Sequence, residues 1–377
     1  MSELVAHVTP WGVHCGVAKH FSYWLGALPA ARRSVILAED PPDGYGEPES
    51  WGDWPVRRCW QRYKPEAMDQ ICAAIEETGA RLVHWQWLPD LFVYKALLGY
   101  EEFARYRGIR TVATVHTLLT DPESPFLWQD KWIGRVADVL CAGTPGLCAA
   151  VEQFDIQHQQ FLRRPPVRYV PLAAPICRAT NHRPRTGGRP RILTWGFFGA
   201  RKRCEIIIEA VARLRSQGFP HAEYWIMGQV LTGEQRQSFE ALQALAEQHP
   251  GLVHIREGFR TDDEIYEMCA DADVIALNHE WPYESSSGTV ALSVASRTPV
   301  VVSDSAMFAG YVEPGAVLVA GSTPEAWSRV LAIAVRNPLA TAPGRRIMRR
   351  RTSPANVAAR YESIYQELES EDNGEAT

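Results

Sequence analysis

Residues 282–304 read PYESSSGTVALSVASRTPVVVSD. Glu284 is followed by Ser285, Ser286, Ser287 and Gly288, then by a small apolar run, a proline and a β-branched run ending at Asp304. Small polar residues ahead of an apolar run mark a helix start, and a short apolar β-branched run marks a buried strand. The stretch therefore predicts a loop, a helix and a parallel strand in succession. It also sets one carboxylate ahead of a string of backbone amides. Free N–H groups at a helix start form an anion site together with the macrodipole, and small side chains let an anion approach. An ordinary serine N-cap is the alternative, but three serines exceed what a cap needs.

The same alternation extends in both directions. Strands are predicted at 4–9, 81–87, 110–116 and 138–143, with helices at 16–28 and 65–79, and 167–174 closes this half. Residues 176–190, ICRATNHRPRTGGRP, carry the Pro, Gly and Arg content of a linker. A second series follows, with strands at 191–198, 222–228, 252–259 and 273–278 and helices at 204–218, 234–250 and 261–272. Apolar strands alternating with helices imply α/β architecture with parallel sheets covered on both faces. The expected fold is two doubly wound, Rossmann-like domains facing a cleft, with ligands at the carboxyl ends of the strands. The boundaries are 1–175 and 191–354, with a C-terminal helix at 355–370 packing back onto the first domain. The acidic tail ELESEDNGEAT, 367–377, is expected to fray.

Composition narrows the class. With 377 residues, 46% hydrophobic and 22% charged, the chain can bury two sizeable cores. A net charge of −5 argues against a nucleic-acid partner, and the basic runs 183–191 and 345–351 read as a solvated linker and a solvated helix face. Cys15, Cys59, Cys72, Cys141, Cys148, Cys177, Cys204 and Cys269 form no CxxC pair. They read as reduced thiols of a cytoplasmic protein, not as a metal site or a disulfide frame. The start MSELVAHVTP carries an early Glu and no long apolar core, so no signal peptide is expected. No run reaches the length of a membrane span, which leaves peripheral membrane contact open.

In order and spacing these signals resemble the GT-B fold, and within it the retaining glycosyltransferase family 4. The resemblance runs through CGVAKHFSYWL, TVHT, VPLAA, WGFFGARKRCEIIIEAVARL, WIMGQ and GFRTDDEIYEMCADADVIALN, and covers most of the chain. The quoted stretch aligns with the family's paired-glutamate element. Its first glutamate is Glu284, but eight positions on stands Leu292, where the family has the carboxylate that holds the ribose. The family's Arg corresponds to Phe197, its Lys is retained as Lys202, and Arg201 beside it is placed to replace the lost charge. The family's glycine in this element is shifted to Gly288.

Several site residues follow. Arg201 and Lys202 are expected to stabilise charge on a departing diphosphate. Gly16, Val17, Ser285, Ser286, Ser287 and Gly288 are expected to bind donor phosphate. The resemblance implies that Glu284 accepts hydrogen bonds from donor-sugar hydroxyls. It implies that His116, ending its strand, bonds the sugar and lends its carbonyl near the anomeric carbon. Gly228, Phe259 and Arg260 fall on the nucleotide-base side. Trp11, His84, Trp85 and Trp87 are expected on the acceptor side, where indole faces stack on sugars; core packing is the alternative for them. The implied activity is retaining transfer of a sugar from a nucleotide-diphosphate donor to a small-molecule, natural-product or glycoconjugate acceptor. No metal and no cofactor beyond the donor substrate is expected, and the protein is expected as a monomer or homodimer. A non-catalytic nucleotide- or sugar-binding GT-B protein and a GT-B epimerase are the alternatives.

Overall fold

The computed structural model describes residues 3–13, 15–40, 50–51, 54–118, 127–157, 165–175, 189–280 and 284–375. Most of the expected linker lies outside these residues. The first strands are β1 (Val5–Thr9), β2 (Ser34–Glu39), β3 (Ser50–Trp51), β4 (Trp54–Trp60), β5 (Leu82–Trp87), β6 (Arg110–Val115), β7 (Thr117–Leu118), β8 (Val139–Ala142) and β9 (Val167–Tyr169). They are followed by β10 (Arg191–Trp195), β11 (Glu223–Gly228), β12 (Val253–Glu257), β13 (Val274–Leu277), β14 (Glu284–Ser285), β15 (Val300–Ser303) and β16 (Leu318–Ala320). The chain divides into two compact units. Residues 1–173, 283–286 and 353–377 form the first, and 174–282 with 287–352 form the second.

In the first unit one sheet runs β3-β4-β2-β1-β5-β6-β8-β9, parallel throughout except for β3. Strands β1, β2 and β5 are buried along their whole length, because helices cover both faces. Helices α1 (Gly16–Leu25), α2 (Ala67–Thr78), α3 (Tyr94–Arg107), α4 (Leu127–Val136) and α5 (Pro145–Gln157) connect them. Period-two alternation sends Val83, Trp85, Trp87, Ala113 and Val115 into the core lined by α2 and α3. Leu82, His84, Gln86, Val112 and Thr114 therefore point to the opposite face, where α1 contributes Phe21 and Trp24.

In the second unit the sheet order is β12-β11-β10-β13-β15-β16, all parallel. Its helices are α6 (Cys204–Ser216), α7 (Gly233–Glu247), α8 (Asp262–Asp271), α9 (Gly288–Ala295), α10 (Ala309–Val312), α11 (Pro324–Arg336) and α12 (Ala342–Arg351). The main core is mostly aliphatic, with Ile192, Ile207, Val211, Leu214 and Leu331 packed together and Phe198, Tyr224, Phe239 and Trp327 among them. Helix α8 opens with a reciprocal cap between Thr261 and Glu264, which satisfies its first amides.

The last helix, α13 (Pro354–Glu375), belongs to the first unit. The acidic tail thus continues as helix up to Glu375 where fraying was expected. Buried Arg32 fastens α13, bonding both Glu362 oxygens at 2.9 and 2.7 Å and also pairing with Glu369. Among the described residues no helix is long and apolar enough to cross a membrane, and no group of His, Cys, Asp or Glu could hold a metal ion. Among the described residues no two cysteines form a disulfide.

Candidate functional site

In the first unit the site begins where β6 ends. The His116 N–H donates to the Trp87 carbonyl at 3.2 Å, and its Nε2 lies 3.0 Å from Gln86 Oε1. Burial holds the imidazole down to about 3, so the ring is neutral at ordinary pH. Just beyond it, β7 pairs antiparallel with β14, setting Glu284 opposite Leu118 and Ser285 opposite Thr117. The Ser286 N–H donates to the His116 carbonyl at 3.2 Å. Backbone pairing thus brings the Glu284 segment onto His116 from far along the chain. Gly143, which follows β8, makes room for it: a Cβ there would stand 2.5 Å from Ser286 Oγ and 3.0 Å from Ser286 Cβ. Sequence reasoning missed Gly143, although a glycine directly after a strand signals a close approach.

His20, on α1, lies edge-on to His116 with ring centroids 5.5 Å apart. Its Nδ1 accepts the Ala173 N–H at 2.9 Å, which leaves the proton on Nε2. That nitrogen is buried with no hydrogen-bond partner among the described residues.

In the second unit β10 ends at Trp195 and the chain turns at Gly196, with φ +109. A side chain there would be strained, and its Cβ would meet Lys202 Nζ at 2.8 Å and Thr289 Oγ1 at 3.2 Å. The Lys202 ammonium lies over this turn and donates to the Trp195 carbonyl at 3.0 Å. It has no carboxylate partner among the described residues, and burial pulls it down to about 8. Thr289 belongs to the first turn of α9, so Lys202 and the α9 start stand together. The α9 N-cap is Ser287, whose hydroxyl accepts the Val290 N–H, and among the described residues no atom lies within 4 Å of where a Gly288 Cβ would stand. Trp195 Nε1 ties this helix to β10 through Ser293 Oγ at 2.9 Å.

His279, not singled out from the sequence, follows β13 as His116 follows β6. Its N–H donates to Ser303 Oγ at 3.1 Å, and its carbonyl accepts the Ser303 hydroxyl at 2.9 Å. The Nε2 has no hydrogen-bond partner among the described residues. Burial first, then the Lys202 charge, lowers the ring to about 3.

Several expectations are corrected. Ser285 lies in β14 and Ser286 in the connection, so of the three serines only Ser287 caps the helix. Gly16 opens α1 as expected, and the positive φ of the turn between β1 and α1 falls at Gly12, φ 67. The Val17 side chain is buried in the core, which leaves its backbone alone to face a ligand. Gly228 is demanded by packing: a Cβ would lie 2.0 Å from the Gly196 carbonyl oxygen, where the two loops cross. The acceptor-side aromatics are core residues. Trp11, His84, Trp85 and Trp87 are each at most 3% exposed. Trp87 Nε1 donates to Asp130 at 3.1 Å, and Trp11 packs edge-on to Phe21.

Other placements stand as open surface. Phe259 is 41% exposed, and Arg260 donates to its carbonyl at 3.0 Å beside Gly258, φ +141. Arg201 is exposed, and its carbonyl accepts the Glu280 N–H at 2.8 Å. Leu292 is buried on α9.

Residues 180–353 match the family model described as glycosyl transferases group 1. Sequence comparison with curated proteins gives no match. Among solved structures the chain is similar to a sucrose-phosphate synthase from Thermosynechococcus elongatus, with TM-score 0.72 at 15% identity, covering 98% of this chain and 99% of that one. Anabaena HepE in complex with UDP-glucose is similar at TM-score 0.71 and 13% identity, over 98% of this chain and 100% of that one. A UDP-forming α,α-trehalose-phosphate synthase from Burkholderia xenovorans gives 0.71 at 14% identity, over 97% and 99%. At these identities the likeness establishes the fold, which is GT-B.

Proposed function

We propose that this protein is a retaining glycosyltransferase that moves a sugar from a uridine-diphosphate sugar to a small-molecule, natural-product or glycoconjugate acceptor. The observation that carries this is Lys202, a half-buried ammonium with no carboxylate partner among the described residues, which shares the Gly196 turn with Thr289 of the first turn of α9. A half-buried cation is unfavourable unless an anion joins it, and amide dipoles at a helix start add to its pull. A departing diphosphate meets both requirements. The group 1 match over 180–353 supports the reaction class, and the UDP and UDP-glucose complexes of Anabaena HepE support uridine as the base.

Roles follow from position. Lys202 and the α9 amides neutralise the leaving diphosphate, with Arg201 adding charge from the surface, so no divalent metal is needed. Glu284 accepts hydrogen bonds from donor-sugar hydroxyls. His116, neutral through burial, acts as a hydrogen-bonding partner to the sugar and not as a proton-transfer group. Phe259 offers its exposed ring to the base.

Leu292 favours one other reading. It gives the ribose no carboxylate, as in a protein that binds nucleotide or sugar without turnover. A panel of UDP-, GDP-, ADP- and dTDP-sugars separates the two, with thermal shift for binding and nucleotide release for turnover, each with and without EDTA. The proposal expects a UDP-sugar to raise the melting temperature and to be hydrolysed slowly, unaffected by EDTA. Binding without release supports the second reading, and neither binding nor release defeats both.

A further inference from the structure

We infer that the C-terminal helix α13 sets the tautomer and orientation of His116 through a continuous buried relay, which makes Gln86, His84 and Tyr365 positioning residues for the transfer step. This rests on the role proposed above for His116.

The relay lies on the sheet face that α1 and α13 cover. From α13, Tyr361 Oη reaches Thr114 Oγ1 at 2.9 Å and Tyr365 Oη reaches His84 Nδ1 at 2.6 Å. Thr114 Oγ1 lies 2.8 Å from His84 Nε2. Gln86 bridges the two histidines, its Nε2 3.3 Å from His84 Nε2 and its Oε1 3.0 Å from His116 Nε2. The six side chains are buried.

Two donor–acceptor assignments satisfy every contact, related by turning the Gln86 amide over together with both imidazole tautomers; with the Gln86 orientation of the structure, the roles are these. Tyr361 donates to Thr114, and Thr114 donates to His84 Nε2. His84 Nε2 is therefore bare, and its Nδ1–H donates to Tyr365. The Gln86 amide N–H also faces the bare His84 Nε2, which turns Oε1 toward His116. His116 must then carry its proton on Nε2. Turning the Gln86 amide over would set its oxygen against the His84 lone pair unless His84 also changed tautomer. The two imidazoles are thus coupled through one amide.

Its far end is anchored independently of the sheet. Arg32 holds Glu362 and Glu369 on either side of Tyr365 and lies 5.5 Å from that ring. Tyr361 packs on Trp24 with centroids 4.3 Å apart. Aliphatic residues would fill this space without the desolvation that buried polar groups carry. What the polar chain adds is a defined proton position on His116, beside the strand that carries Glu284.

The test is tautomer measurement by ¹⁵N–¹H correlation on the full chain labelled with ¹⁵N-histidine, the His116 signals being identified by their loss in His116→Gln. The wild type is expected as a single Nε2–H tautomer. Gln86→Leu and, as a milder variant that keeps the ring, Tyr365→Phe are each expected to move His116 toward Nδ1–H. Each is also expected to lower kcat about tenfold while changing donor KM by less than about twofold. In a His116→Ala background neither should lower kcat further. An unchanged His116 tautomer in both variants, or losses that simply add to that of His116→Ala, would overturn the relay. If His116→Ala turns over like the wild type, the role proposed for His116 fails, while the tautomer measurement still decides whether the relay exists.

Discussion

The two units share a strand–helix rhythm but not a kind of core. In the second unit the main cluster is built from Ile192, Ile207, Val211, Leu214, Val274 and Leu331, and Tyr224 with Thr194 forms a buried polar pair within it. In the first unit, the face under α1 and α13 carries His7, His20, His84, Gln86 and Thr114 among Trp24, Tyr361 and Tyr365. Apolar burial is non-directional and fixes little beyond shape. A hydrogen-bonded core specifies orientation, and it becomes vulnerable to anything that changes its protons.

Acid should expose that vulnerability most strongly. His7, His116 and His279 are lowered by burial to about 3, and His20 and His84 lie well below 6.5. Below 6.5 the unfolded chain takes up protons that these folded groups refuse, so stability is intact above that pH and falls as pH drops toward the folded values. Each histidine costs about 1.4 kcal/mol per pH unit in that window. Four of the five belong to the first unit, so urea unfolding at pH 5.5 should show the first unit melting ahead of the second. Equal loss in both units would contradict this contrast.

A cavity in the aliphatic core should act differently. Leu331→Ala is expected to destabilise the protein by about 2–5 kcal/mol, read by denaturant midpoint, with kcat/KM unchanged where the protein remains folded. A large kinetic effect would mean that the second core also positions chemistry.

Changes at the polar strand ends come next. Lys202→Ala should lower turnover about a hundredfold and Glu284→Ala at least about tenfold, with melting temperature little changed. Wild-type-like rates for both would contradict the site assignment. The smallest effect is expected for Leu292→Glu, a few-fold change in UDP affinity by calorimetry; an unchanged dissociation constant would place the ribose elsewhere.

Much of the fold was legible because parallel strands buried on both faces leave continuous apolar runs. The segments 191–198, 222–228 and 273–278 match β10, β11 and β13 to within a few residues. Strand β4 was not read. Arg57 and Arg58 interrupt its pattern, and Arg58 lies there by donating to the Trp11 and Glu39 carbonyls at 3.1 and 2.7 Å. His116 and Lys202 could be picked out because each follows a strand. The aromatics of HWQW misled, because alternation sends both indoles into a core that the sequence does not show as closed.

The sequence alone determined the rhythm of elements, a helix start within the run Ser285–Gly288 and the residue types at strand ends, since all of these depend on neighbours along the chain. Tertiary structure alone decided that Glu284 pairs beside His116, that Gly143 must clear the Ser286 side chain and Gly228 the Gly196 carbonyl, and that two tyrosines of the last helix reach Thr114 and His84. Those contacts join residues distant in sequence, and no local period or propensity records which of them will meet.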